Sequence, residues 1–222
     1  MMKKMIRQLI REMLLSEAAI TPNALPKGVK VVVKPYNFGK GGWHITVFYP
    51  DADELSGLFQ KGEIKITRPL GMGKCLDAYE VGSVYANIPK LGPLLYDIAI
   101  ELAGKNGLMS DRRMVSADAW KVWNYFLNNR SDVASRQLDS DPGTLTPQND
   151  DDDCNQTSSK LDGEKDLMDL FFKKEKENDK WSESPLSKVY YKQGTPVIDE
   201  LKSLGLLTME KQSGKLIIVD DN

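Results

Sequence analysis

The chain has 222 residues, of which 41% are hydrophobic, and its 30 basic and 32 acidic side chains leave a formal charge of −2. That composition can build a core, while a mean hydropathy of −0.42 points to a folded body diluted by polar segments. The near-balanced charge argues against nucleic acid as the main partner, and no apolar run approaches the roughly 20 residues needed to cross a bilayer.

Residues 1–17 open the chain with Met2, Met5, Ile6, Leu9, Ile10, Met13 and Leu14 at helical spacing. Lys3, Lys4, Arg7 and Arg11 take the other face, and Pro22 and Pro26 break the pattern. Such a stripe fits a helix packed on the body, a helix on an anionic membrane or organelle presequence, or a detachable leader. There is no continuous apolar stretch of the kind a secretory signal has. Residues 29–33 are β-branched and read as a strand, 37–42 as a glycine-rich turn, and 43–49 as the strongest strand of the chain. Residues 63–67 and 77–86 read as two more strands, with a turn at Gly71 and Gly73 between them.

The pattern then turns helical. Residues 94–103 place Leu95, Ile98, Ala99 and Leu102 on one face, and Gly104 and Gly107 end the helix. Residues 108–110 are short and extended. Ser116 is the expected N-cap of a second helix running to about residue 127, with Asp118 in its first turn. Residues 139–165 are acidic and rich in Ser, Thr, Asn and Gln, a composition that buries too little apolar surface to offset ordering entropy. Beyond them, 167–172 reads as a short helix, 185–191 and 197–206 as amphipathic pieces returning to the core, and 215–219 as a closing strand.

The expected fold class is α/β in the broad sense, or α+β: a mixed, mostly antiparallel sheet flanked by helices. The expected organisation is a leader at 1–17, the main domain at 18–138, a flexible linker at 139–165, and a C-terminal segment at 166–222 that packs on the main domain. Cys75 and Cys154 read as isolated thiols in a reduced intracellular protein, and with His44 the sole histidine no metal ligand is assigned.

Leu15, Glu17 and Ala18 carry a resemblance. An aliphatic residue two before a glutamate, and a small residue after it, resembles the site cut by prohead proteases of T-even-like tailed bacteriophages. The resemblance implies a capsid-targeting leader removed after Glu17, with Ala18 as the new N-terminus, and the phage capsid and its prohead protease as partners. It implies a location in the virion or the host cytoplasm. The bond falls between helix end and Pro22, where a protease can reach extended backbone.

Residues 77–126 are similar to the central unit of the GCN5-related N-acetyltransferases: strand, glycine-containing loop, helix, short strand, second helix. The resemblance implies an acyl-CoA N-acyltransferase-like fold with acetyl-CoA, or another acyl-CoA, as donor and an amine as acceptor. It places Lys90, Leu91, Gly92 and Leu94 at the pyrophosphate, where a helix N-terminus offers free amides. The helix is expected to begin near Pro93. The family loop carries two glycines one residue apart; here only Gly92 remains, and Lys90 stands where the first glycine is expected. The family's general-acid tyrosine, four residues after a small residue on the second helix, is replaced by Trp123, counting from Ala119. Tyr125 is the tyrosine of that helix, two residues further on, and Glu80 or Asp97 is the candidate general base.

Other groups carry weaker signals. Asp111, Arg112 and Arg113 read as a solvated turn or a phosphate clamp. His44 reads as a structural histidine rather than a catalytic one. The competing functions are a non-catalytic internal or structural virion protein and a module that binds a host factor.

Overall fold

β-branched runs pair where a sheet can bury one of their faces, and this chain supplies enough of them for one large sheet. A computed structural model describes residues 20–37, 41–50, 58–69, 75–112, 114–138, 159–161, 183–210 and 216–217. The strands and α-helices are β1 (Lys30–Tyr36), β2 (Gly42–Pro50), β3 (Leu58–Thr67), β4 (Tyr79–Ala86), α1 (Leu91–Ala103), β5 (Leu108–Met109), β6 (Met114–Ser116), α2 (Ala117–Asn129), β7 (Val133–Gln137), β8 (Ser159–Leu161), β9 (Lys188–Lys192), α3 (Pro196–Ser203), β10 (Leu207–Glu210) and β11 (Leu216–Ile217). Nine strands form one sheet in the order β11–β10–β1–β2–β3–β4–β5–β9–β7, while β6 and β8 pair apart from it. Within the large sheet only β1–β10 and β4–β5 are parallel. The protein is therefore α+β with a mixed, mostly antiparallel sheet, as its sequence leads one to expect.

Alternation along β1, β2 and β3 separates two faces. Val31, Val33, Ile45, Val47, Ile64 and Ile66 are at most 1% exposed and share a core with Leu91, Leu94, Leu95 and Ile98 of α1. The opposite face carries His44, Thr46, Glu63 and Lys65, opposed in register as Thr46↔Glu63 and His44↔Lys65. Gly62 of β3 lets α1 come down on the sheet. A Cβ there would lie 2.9 Å from Leu91 Cδ2 and 3.0 Å from the Tyr85 carbonyl oxygen, closer than packed atoms tolerate.

Several expectations need correction. α1 begins at Leu91, not near Pro93, because Leu91 is a core residue with 0% exposure that the first turn must present to the sheet. Gly92 therefore lies inside the helix, not in the loop. Ser159–Leu161, read as linker, form β8 parallel to β6. β7 was not foreseen; it pairs with β9, so the segment after residue 183 supplies a strand between β5 and β7. Cys75 is buried and in a disulfide, which corrects its reading as an isolated thiol. Cys154, residues 1–17 with Glu17 and Ala18, the turn at Gly71 and Gly73, and the helix at 167–172 lie outside the described residues.

Helix α2 starts as its sequence dictates, with Ser116 Oγ accepting the Ala119 N–H at 3.2 Å. The helices are tied by a buried ionic cluster. Glu101 of α1 accepts Lys192 Nζ at 2.7 Å and the backbone N–H groups of Val197 and Ile198 at 3.1 and 2.8 Å, so it caps α3. Asp97 accepts both terminal nitrogens of Arg130, at 3.2 and 2.9 Å, and Lys192 at 3.1 Å. Asp132 also receives Arg130, which pulls its carboxyl below the usual range against a smaller effect of burial.

Candidate functional site

The segment expected to carry the site runs through the place where β4 and β5 part. The two parallel strands are joined only at Tyr79↔Leu108 and Glu80↔Met109. β5 then ends while β4 runs on to Ala86, laddered to β3 on its other side. The pairing shifts from Ile66↔Val81 to Lys65↔Ser83, so Gly82 is an extra residue in β4. Such a bulge turns the strand locally. Beyond it Gly82, Ser83, Tyr85 and Ala86 are exposed, and among the described residues this edge of β4 has no ladder partner. The split is roofed by α1, whose N-terminus follows the loop after Ala86.

Lys90, the N-cap of α1, holds a left-handed φ of 68°. A lysine pays a steric penalty there that a glycine does not, and this is the position where the resembled family has its first glycine. Lys90 is exposed, and its carbonyl accepts the Ile20 N–H at 3.2 Å. The Leu91 N–H already donates to the Ile88 carbonyl at 3.2 Å, and both leucine side chains face the core. In helical geometry the Leu94 N–H falls to the N-cap carbonyl. Leu91 and Leu94 are thereby corrected as anion ligands. The Gly92 N–H, by contrast, has no intrahelical acceptor. A Cβ built on it would meet nothing closer than Ala86 Cβ at 4.0 Å, so the space before it is open.

The proposed acid and base are not brought together. Glu80 lies at the apex of the split, half-buried, where its Oε1 accepts the Arg112 backbone N–H at 2.7 Å. It pins the turn after β5. Tyr125 is half-buried on α2 and packs against the core; among the described residues no hydrogen bond or ring contact joins it to Glu80. Trp123, at the family's tyrosine position, is 1% exposed within an aromatic cluster with Tyr96, Phe126 and Tyr190. Asp97 is committed to Arg130 and Lys192, which removes it as a free base.

Arg112 is fully buried, and its Nη1 donates to the Leu186 carbonyl at 3.2 Å. It is a backbone clamp, not a phosphate clamp or a solvated turn; Arg113 lies outside the described residues. Asp111, between Ser110 and Arg112, is half-buried, and its charge acts on Tyr96 of α1.

His44 belongs to the other face of the sheet. Its Nε2 meets both Glu63 Oε2 at 2.8 Å and Thr46 Oγ1 at 3.2 Å. A relay needs the hydroxyl and the carboxylate on different ring nitrogens, so the structural reading holds. Burial alone would raise the Glu63 carboxyl, but hydrogen bonds from Lys65 and His44 hold it below its ordinary value. A cleft of about 390 Å³ between residues 22–30 and 204–206 contains Lys27 and Lys30 but no acid–base pair, and lies at the β1–β10 end of the sheet. Among the described residues no His, Cys, Asp and Glu side chains group as metal ligands, and no helix is long and apolar enough to cross a membrane. The chain matches no protein-family model, no curated protein and no solved structure.

Proposed function

We propose that the body binds acyl-CoA at the β4–β5 split and transfers the acyl group to an amine, in the manner of an acyl-CoA N-acyltransferase. The observation that carries this reading is the parallel β4–β5 pair that separates after Glu80 beneath the N-terminus of α1. The element order supports it: strand, loop, helix, short strand and second helix follow one another as in the resembled family. The exposed edge of β4 offers backbone partners to the amides of a pantetheine arm. Gly92 and Lys90 offer an N–H and an ammonium to the pyrophosphate. Trp123 in place of the family's tyrosine favours the second reading, a binding protein of the same frame without turnover.

Coenzyme A at about 100 times its Kd is expected to stabilise the protein by about 2.7 kcal/mol, a rise in Tm of roughly 5–10 °C. Gly92→Trp should abolish that shift while leaving the ligand-free Tm unchanged, because the space before Gly92 is open. No shift of the wild type at millimolar coenzyme A sinks the proposal.

We propose further that this body travels in a phage capsid behind the leader at 1–17. The support is the Leu15, Glu17, Ala18 pattern alone. Mass spectrometry of the protein from virions is expected to give Ala18 as the N-terminus, and an intact Met1 there would refute processing.

A further inference from the structure

The split between β4 and β5 is rooted at Tyr79, and the turn that leads into it has an unusual backbone. Cys75–Asp77 form a single turn of 3-10 helix in which Cys75 and Asp77 hold left-handed φ angles of 44° and 57°. Neither is a glycine, so the conformation carries a steric penalty and persists only where its surroundings impose it. The Ala78 N–H closes the turn by donating to the Cys75 carbonyl at 2.8 Å. The next amide, of Tyr79, donates to the Gly107 carbonyl at 2.9 Å, which sets β4 beside the start of β5.

Little holds this turn from inside. Cys75, Ala78, Met109, Leu138 and Val189 are each 0% exposed and form a core of their own, apart from the one beneath α1. That small core joins the turn to β5, to β9 and to the residue after β7. Met109 pairs with both Glu80 and Val189, and the Leu138 N–H donates to the Ser187 carbonyl at 2.9 Å. With an alanine and a cysteine among its members it buries little apolar surface, so a covalent tie counts for more here than in the large core.

Cys75 supplies one. It is disulfide-bonded, and the chain contains one other cysteine, Cys154. A second copy is excluded as the source of the partner sulfur, because Cys75 has no exposed surface for another molecule to approach. Leu138, upstream of Cys154, already lies in the small core with Cys75, so a loop from there to Cys154 begins beside its target.

We infer that Cys75 and Cys154 form one intrachain disulfide, a redox-sensitive staple that fixes the root of the β4–β5 split. The bond forms when the two thiols lose two electrons and two protons to a small-molecule disulfide such as oxidised glutathione, which leaves as two thiols. A thiol reductant reverses the exchange. The closed loop takes in every element from β4 to β7, and a loop of that length strongly restricts the unfolded chain. On reduction this corner is left to its small apolar core, while the larger core, which has no cysteine among its described members, keeps its packing. The staple does not depend on the acyl-CoA reading, although it secures the strand that carries Glu80.

The test uses the full chain. Peptide mapping without reduction, after equilibration with oxidised glutathione, should give one linked pair of peptides carrying Cys75 and Cys154. Two free thiols, a glutathione adduct or a link between two chains overturns the pairing. Reduction by dithiothreitol is expected to lower Tm by roughly 5–15 °C, and Cys154→Ser should match the reduced wild type. In amide exchange, the Tyr79 and Leu138 N–H groups should lose at least about tenfold more protection than those of β2. An unchanged Tm on reduction, or an equal loss of protection in both regions, sinks the staple. Should Cys154→Ser fail to fold, the peptide map and the reduced wild type decide between these outcomes.

Discussion

Replacing Lys192 by methionine is expected to destabilise the protein by about 3–5 kcal/mol at neutral pH. The ammonium is 2% exposed and bonded to Glu101 at 2.7 Å and Asp97 at 3.1 Å, whose side chains are 0% and 4% exposed. Methionine fills a similar volume but leaves one more negative charge than the site can balance. Asp97 keeps its two bonds from Arg130, so the deficit falls on Glu101, which retains only the amides of Val197 and Ile198. Adding Glu101→Gln to Lys192→Met should recover at least about 1 kcal/mol, since the two sites are coupled. Urea unfolding of the two single variants and the double variant measures this. A cost below 1 kcal/mol for Lys192→Met would show that the cluster is hydrated and not buried in solution.

That cluster also marks where sequence reading stops. β2 was legible because residues 43–49 are almost all β-branched or aromatic, and α2 because Ser116 caps it. Local signals suffice for both. Glu101 and Lys192 meet across 91 positions, and nothing local to either announces the other. β7 was invisible because Ala134, Ser135 and Arg136 are all exposed, so no apolar alternation marks it. The start of α1 was misplaced because Pro93 is a strong local signal, whereas what fixes Leu91 is a hollow above Gly62 on a distant strand. At the candidate site the loop could be located from Gly92 and Pro93, but its useful donors could not. Leu91 and Leu94 lose theirs to backbone partners that appear only once the turn has closed.

Trp123 is where packing and proposed chemistry compete for one position, and its removal is expected to cost about 3–5 kcal/mol. It stacks on Tyr190 with centroids 5.2 Å apart at 28°, and meets Tyr96 and Phe126 edge-on. Three elements, α1, α2 and β9, lose contact with one another in Trp123→Ala, because the indole is the body they share. In thermal unfolding the loss should appear as a fall in Tm of roughly 10–15 °C. Tyr125→Phe on the same helix should stay within about 0.5 kcal/mol, as for a site away from any buried network. An indole that large and that enclosed cannot be exchanged for a smaller side chain without opening the seam between α1, α2 and β9. A Trp123→Ala variant that unfolds within a degree or two of wild type would mean the aromatic seam is loose.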